Sequence, residues 1–230
     1  MKKLVLGLVT SVAVSAMTLG VSAQQARAEH AATHDWTGPY IGAIVGIGSL
    51  DASAQYTVPF ASEPLPVNVP LSDSGFLGGL TVGWNAQSGH MVYGIEGDVS
   101  FGDFGTTVPV FNGTPTDLGV QTDLFATIRG RVGVASNDIF LYGTAGLAIL
   151  DGDITGSVRL DESKGFTELG AVLGAGAELA ITEDVTVKAE LLYAIFDTSI
   201  GIGDLFGFNP GDSVKLDNFY TVRVGVNWHF

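Results

Sequence analysis

From Tyr220 to Phe230, where the sequence ends, two kinds of side chain alternate without a break. Tyr220, Val222, Val224, Val226, Trp228 and Phe230 form an apolar set, and Thr221, Arg223, Gly225, Asn227 and His229 form a polar or glycine set. A period of two puts the sets on opposite faces of an extended strand. One face must then be hidden from water, and the rest of the chain has to supply whatever hides it.

Seven further segments alternate in the same way, at 41–47, 80–86, 91–101, 124–134, 141–149, 171–179 and 185–195. Three connections are tight and carry turn residues, around Ser88-Gly89, Asn137-Asp138 and Thr182-Glu183-Asp184. Four are long, at roughly 50–74, 102–120, 151–166 and 197–216. The chain is 46% hydrophobic with 32 glycines and a mean hydropathy of +0.36, yet no later stretch suits a membrane helix. This pattern predicts an all-β fold, either a soluble periplasmic β-protein or a membrane barrel. The lipid-suited faces and the alternation of short and long connections point to an eight-stranded antiparallel up-and-down transmembrane β-barrel. Short turns would be periplasmic, and the even strand count would put both termini there. Two pairings follow. With Ile181 and Val185 flanking the third turn, Glu178 faces Lys188. With Ser88-Gly89 as a two-residue turn, Asn85 faces Val92 and Gly83 faces Gly94.

The N-terminus reads as a secretory signal peptide over 1–28. Lys2 and Lys3 precede an apolar run, and small residues allow cleavage after Ala23 or Ala28. Cleavage after Ala28 would remove Lys2, Lys3 and Arg27 and take the formal charge from −14 to −17. So acidic a chain argues against nucleic acid and anionic lipid as partners for its exposed surface. There is no cysteine, so an exported chain must be held by backbone pairing and packing. Residues 29–38 form a polar periplasmic lead-in and 39–230 the barrel, with Trp36 and Tyr40 suited to an interfacial aromatic girdle.

Arg223-x-Gly225-x-x-Trp228-x-Phe230 resembles the C-terminal assembly signal of Gram-negative outer-membrane β-barrels. Trp36-Thr-Gly-Pro-Tyr40, Gly94-Ile-Glu-Gly-Asp98, Ile128-Arg-Gly-Arg-Val-Gly133 and Gly174-Ala-Gly-Ala-Glu178 resemble small porin-like surface proteins with an OmpA-like β-barrel domain. The resemblance covers nearly all of 39–230. It implies residence in the cell outer membrane, with the barrel-assembly machinery, membrane lipid and lipopolysaccharide as partners.

The inward sets hold the strands' charges: Glu96 and Asp98, Arg129 and Arg131, Glu178, Lys188 and Glu190, and Arg223. Four acids meet four bases at similar heights and should form a belt across the lumen. A cation facing lipid at mid-depth costs about 2–4 kcal/mol, and an unpaired buried charge is also costly. The belt reads as a salt-bridge plug, since eight strands leave room only for side chains. The alternative is a gate in a narrow porin-like channel for ions or very small solutes.

Catalysis is not expected, because none of the four histidines joins a Ser and carboxylate constellation. Asp151-Gly152-Asp153 reads as an acidic turn rather than a calcium site. No metal or cofactor is expected. A third reading, a haemin or other ligand-binding surface protein, lacks the usual axial ligands in the long connections, where Tyr56 is the one tyrosine to consider. Those connections are unusually apolar, at Tyr56 and Phe60 and at Ile200, Ile202, Leu205, Phe206 and Phe208. As a patch they would meet an extracellular ligand or host surface. The function expected is therefore structural and surface-interactive, contributing to membrane integrity.

Overall fold

Each alternating segment pairs with its neighbours in chain order. In the computed structural model, which describes residues 34–58, 65–111, 115–157, 161–202 and 211–230, the strands are β1 (Gly38–Val58), β2 (Leu65–Ser88), β3 (Met91–Phe111), β4 (Pro115–Ser136), β5 (Ile139–Ser157), β6 (Asp161–Ala180), β7 (Val185–Gly201) and β8 (Ser213–His229). All pairs are antiparallel, and β8 closes on β1. The proposed signal peptide, with both cleavage sites, lies outside the described residues.

Register sets the shape. Tyr40 aligns in turn with Gly83, Glu96, Arg129, Gly146, Val172, Ala194 and Phe219, and the circuit returns at Leu50, ten residues along β1. That stagger over eight strands, at about 4.8 Å between strands and 3.3 Å per residue, tilts them roughly 40° from the axis. Outside, the barrel carries an apolar band. On β8 it runs from Phe230 to Tyr220, about 25 Å along the axis. Trp84, Tyr93, Trp228 and Phe230 ring the turn end, and Phe76, Phe101 and Tyr220 the hairpin end, all exposed. Such a band between aromatic rims is the surface that a bilayer covers.

Three sequence expectations change here. The first turn is centred on Gly89-His90, with Ser88 facing Met91, so Asn85 faces Gly94 and Gly83 faces Glu96. Gly89, at φ 61°, takes the left-handed turn position, and the two-residue slip keeps every side chain on its expected face. Glu178 does face Lys188, as the third turn requires. Second, Trp36 and Tyr40 are not girdle residues: both are buried inside the turn end. Third, most of the long connections are strand. The β1–β2 ladder runs to Val58 and Leu65, and the β3–β4 ladder to Phe111 and Pro115. Main-chain bonds continue where apolar alternation fades, because a ladder needs no side-chain contrast.

Past the band the wall divides. The β2–β3 ladder stops at Leu77 and Gly102, and the β6–β7 ladder at Ala171 and Ile195. The other described ladders continue, which leaves two four-stranded sheets, β7-β8-β1-β2 and β3-β4-β5-β6, facing each other. The space between is an apolar core that includes Leu50, Phe125, Leu150, Phe196, Leu216 and Phe219. It is packed like the interior of a sandwich.

Candidate functional site

The eight inward charges meet at one level because strand parity points them inward and the stagger brings them to similar heights. Arg129 is the hub. Its guanidinium lies 2.5 Å from Glu96, 2.9 Å from Asp98 and 2.8 Å from Glu190, and its Nε donates to Thr127 Oγ1 at 2.8 Å. Arg223 pairs with Asp98 at 2.8 Å and with Glu190 at 2.6 Å. Arg131 joins Glu96 at 2.9 Å and Glu178 at 2.6 Å, and Lys188 sits 2.7 Å from Glu96. All eight side chains are buried, and each has an opposite charge within salt-bridge distance, Glu178 through Arg131 and Lys188 through Glu96.

Neutral groups complete the valences. Tyr40 donates its hydroxyl proton to Glu96 and accepts from Arg131. Thr127 donates to Asp98, and Thr186 and Asn227 donate to Glu178. Arg131 also lies over the Tyr142 ring, 4.3 Å from its centroid, and against Phe140 and Tyr40. A buried ion pair tolerates desolvation only when its remaining lone pairs and protons find partners. Here most do, so the network is a fixed polar layer rather than a set of loose charges.

Apolar material seals this layer on both sides. Toward the hairpins stands the Phe125, Leu150 and Phe219 core. Toward the turns, Trp36, Val92, Ala135, Phe140, Tyr142 and Ala180 form a second cluster. The lead-in enters this end: Trp36 is fully buried, edge-on to His34, with Phe140 at 5.3 Å between centroids. Neither seal was legible from the charges. Inward parity is the available signal for Phe125, Leu150, Phe196 and Phe219, which fall in phase with Arg129, Gly146, Glu190 and Arg223.

His34 lies outside the strands. Burial, then the nearby His229, holds its imidazole below the ordinary value of 6.5, against the opposing pull of Glu178, Asp138 and Asp35. A depressed value means that the folded state prefers neutral His34. Its docking is at full strength above pH 6.5 and weakens as pH falls below it. The Trp36 indole N–H resonance should therefore move toward its solvent-exposed position between about pH 8 and about pH 5. An unchanged resonance over that range would show that His34 does not hold the lead-in.

Other expected site residues fall as follows. Arg223 points inward, Gly225 lies against Ile44 and Lys188, and Trp228 and Phe230 project outward at the turn end. Ile200 and Ile202 are not a surface patch. Both are buried in the hairpin-end core, because β7 continues past the band with its alternate side chains facing inward. Phe60, Leu205, Phe206, Phe208 and the Tyr56 side chain lie outside the described residues. Asp151 and Asp153 stand on the β5–β6 ladder rather than in a turn, and Asp151 accepts a hydrogen bond from Thr167. His90 bonds the Ala135 carbonyl beside the first turn, and His229 stacks on Tyr40.

Comparison with known proteins gives a consistent picture. The profile of the outer membrane protein beta-barrel domain matches residues 11–230. The 31 kDa outer-membrane immunogenic protein of Brucella melitensis is 32% identical over 250 aligned positions that span the whole of both chains. A 22 kDa outer membrane protein of Rhizobium leguminosarum is 34% identical over 62% of this chain and 64% of its own. Among solved structures, the outer membrane protein OprG of Pseudomonas aeruginosa superposes with a TM-score of 0.54 at 18% identity, covering 86% of this chain and 99% of OprG.

Proposed function

Because this chain belongs to the outer membrane protein beta-barrel family, we propose that it is a sealed outer-membrane barrel whose work is done by its surface. The observation that carries this reading is the three-layer lumen: a paired charge network between two apolar clusters, with the eight charges all buried. An ion entering would have to displace packed aromatic rings and then break salt bridges in a dry interior. The turn end faces the periplasm in this reading, because tight turns are the periplasmic side of such barrels. The two sheets beyond the band then rise outside the cell, where they contribute to envelope integrity and meet extracellular partners. The word immunogenic in the names of the Brucella relatives fits a surface that is displayed.

The test is electrical. Refolded chain in a planar bilayer should give no discrete openings. Stable openings whose conductance changes on replacing Glu190 or Arg129 would overturn the sealed reading and make the network a gate.

A further inference from the structure

The outer wall is not uniform around the barrel. Across β6, β7 and β8 two outward rows lie side by side. Leu173, Tyr193 and Tyr220 are aligned in one, and Ala175, Leu191 and Val222 in the next. Ala175 is short where its row-mates are large. The result is a groove of about 550 Å³, lined by these six side chains and the strand backbone between them. That volume falls within the roughly 300–1,000 Å³ typical of ligand sites. No lining residue is charged.

Three features say what fills it. The groove lies inside the apolar band and is continuous with the face that meets hydrocarbon, so its occupant is a lipid chain rather than a soluble ligand. Its hairpin-side edge is polar: Tyr193 donates its hydroxyl proton to Asn218 Oδ1 at 2.8 Å, and its ring packs on Tyr220 at 4.9 Å. An acyl chain needs such an edge where its carbonyl leaves the hydrocarbon, and tyrosine suits a site that is apolar at one end and polar at the other. Finally, the β6–β7 ladder ends at Ala171 and Ile195, two residues beyond Leu173 and Tyr193. A chain in the groove therefore leads up to the opening between the two sheets.

We propose that this groove binds one acyl chain of lipopolysaccharide in the outer leaflet. The choice of leaflet rests on the orientation given under Proposed function: the groove occupies the hairpin-side half of the band. Its shape and its tyrosine edge do not depend on that orientation.

Folded full-length mature chain, equilibrated in vesicles of lipopolysaccharide and phospholipid and then extracted in mild detergent, reports the site by mass spectrometry of retained lipid. Ala175→Phe fills the groove, whereas Ala126→Phe adds the same bulk to the outer face of β4. Wild type and A126F should retain lipopolysaccharide, and A175F should lose it by about ten-fold. Equal retention by A175F and wild type, or equal loss in both variants, overturns the site. Retention of phospholipid instead, released by A175F alone, overturns the assignment to lipopolysaccharide while leaving the groove as a chain site and the sealed-barrel reading untouched. Should A175F not fold, Ala175→Leu carries the same comparison.

Discussion

Arg129→Met is expected to lower the free energy of unfolding by about 3–5 kcal/mol, the usual cost of removing one partner from a buried charge network. Arg129 contacts three carboxylates, Glu96, Asp98 and Glu190, and none of them can turn to water. After the substitution the layer holds four acids and three bases. The excess negative charge is shared but cannot leave, because the apolar clusters on either side bar relaxation. Adding Glu190→Gln restores the balance, so the double variant should be more stable than R129M. Urea unfolding in vesicles measures both. A single variant within about 1 kcal/mol of wild type would mean the network is redundant. A double variant no better than the single would mean that charge balance does not govern it.

Gly146→Val is expected to yield no folded barrel at all. Gly146 faces Arg129 across the β4–β5 ladder. A Cβ there would run into the Ile128 carbonyl oxygen and the Arg129 Cα, which are backbone atoms that cannot swing aside. The clash sits beside the hub of the network, so relieving it would displace the guanidinium. Gly143 supplies the contrast. It lies three residues earlier on β5 and faces outward, where an added Cβ meets nothing nearer than 4.0 Å. Gly143→Ala should fold normally. A gel on which folded and boiled protein migrate differently reads both variants. A normal shift in G146V would show that the strands can separate there, contrary to the close packing described.

The barrel was legible because its strands mark inside and outside at every second residue. Eight alternating runs set the strand count, and the eight belt charges, all in the inward phase, mark the network. The remaining features are hidden for separate physical reasons. Parity constrains register only to even steps, so a turn one residue further along, which shifts each partner by two, leaves the alternation unchanged. An aromatic such as Trp36 or Tyr40 suits either the lipid interface or the interior, and Tyr40 is distinguished only by its bonds to Glu96 and Arg131. The hairpin-end core is hidden because residues such as Ile200 and Ile202 lie in stretches without sustained alternation, where apolar side chains suggest a surface patch. They pack inward because the backbone ladder continues beneath them.

The parting of the wall into two sheets has a consequence for how such a protein can vary. Where β2 leaves β3, and β6 leaves β7, the neighbouring hairpins no longer share a ladder. Lengthening or rewriting β1–β2 beyond that height shifts no pairing in β3–β4, and the same independence holds between β5–β6 and β7–β8. The membrane-embedded half acts as a fixed chassis, while the hairpin half is modular along two hinge lines. In the orientation proposed above, foreign epitopes inserted at the hairpin tips would thus change what the cell exhibits without retuning the part that holds it in place.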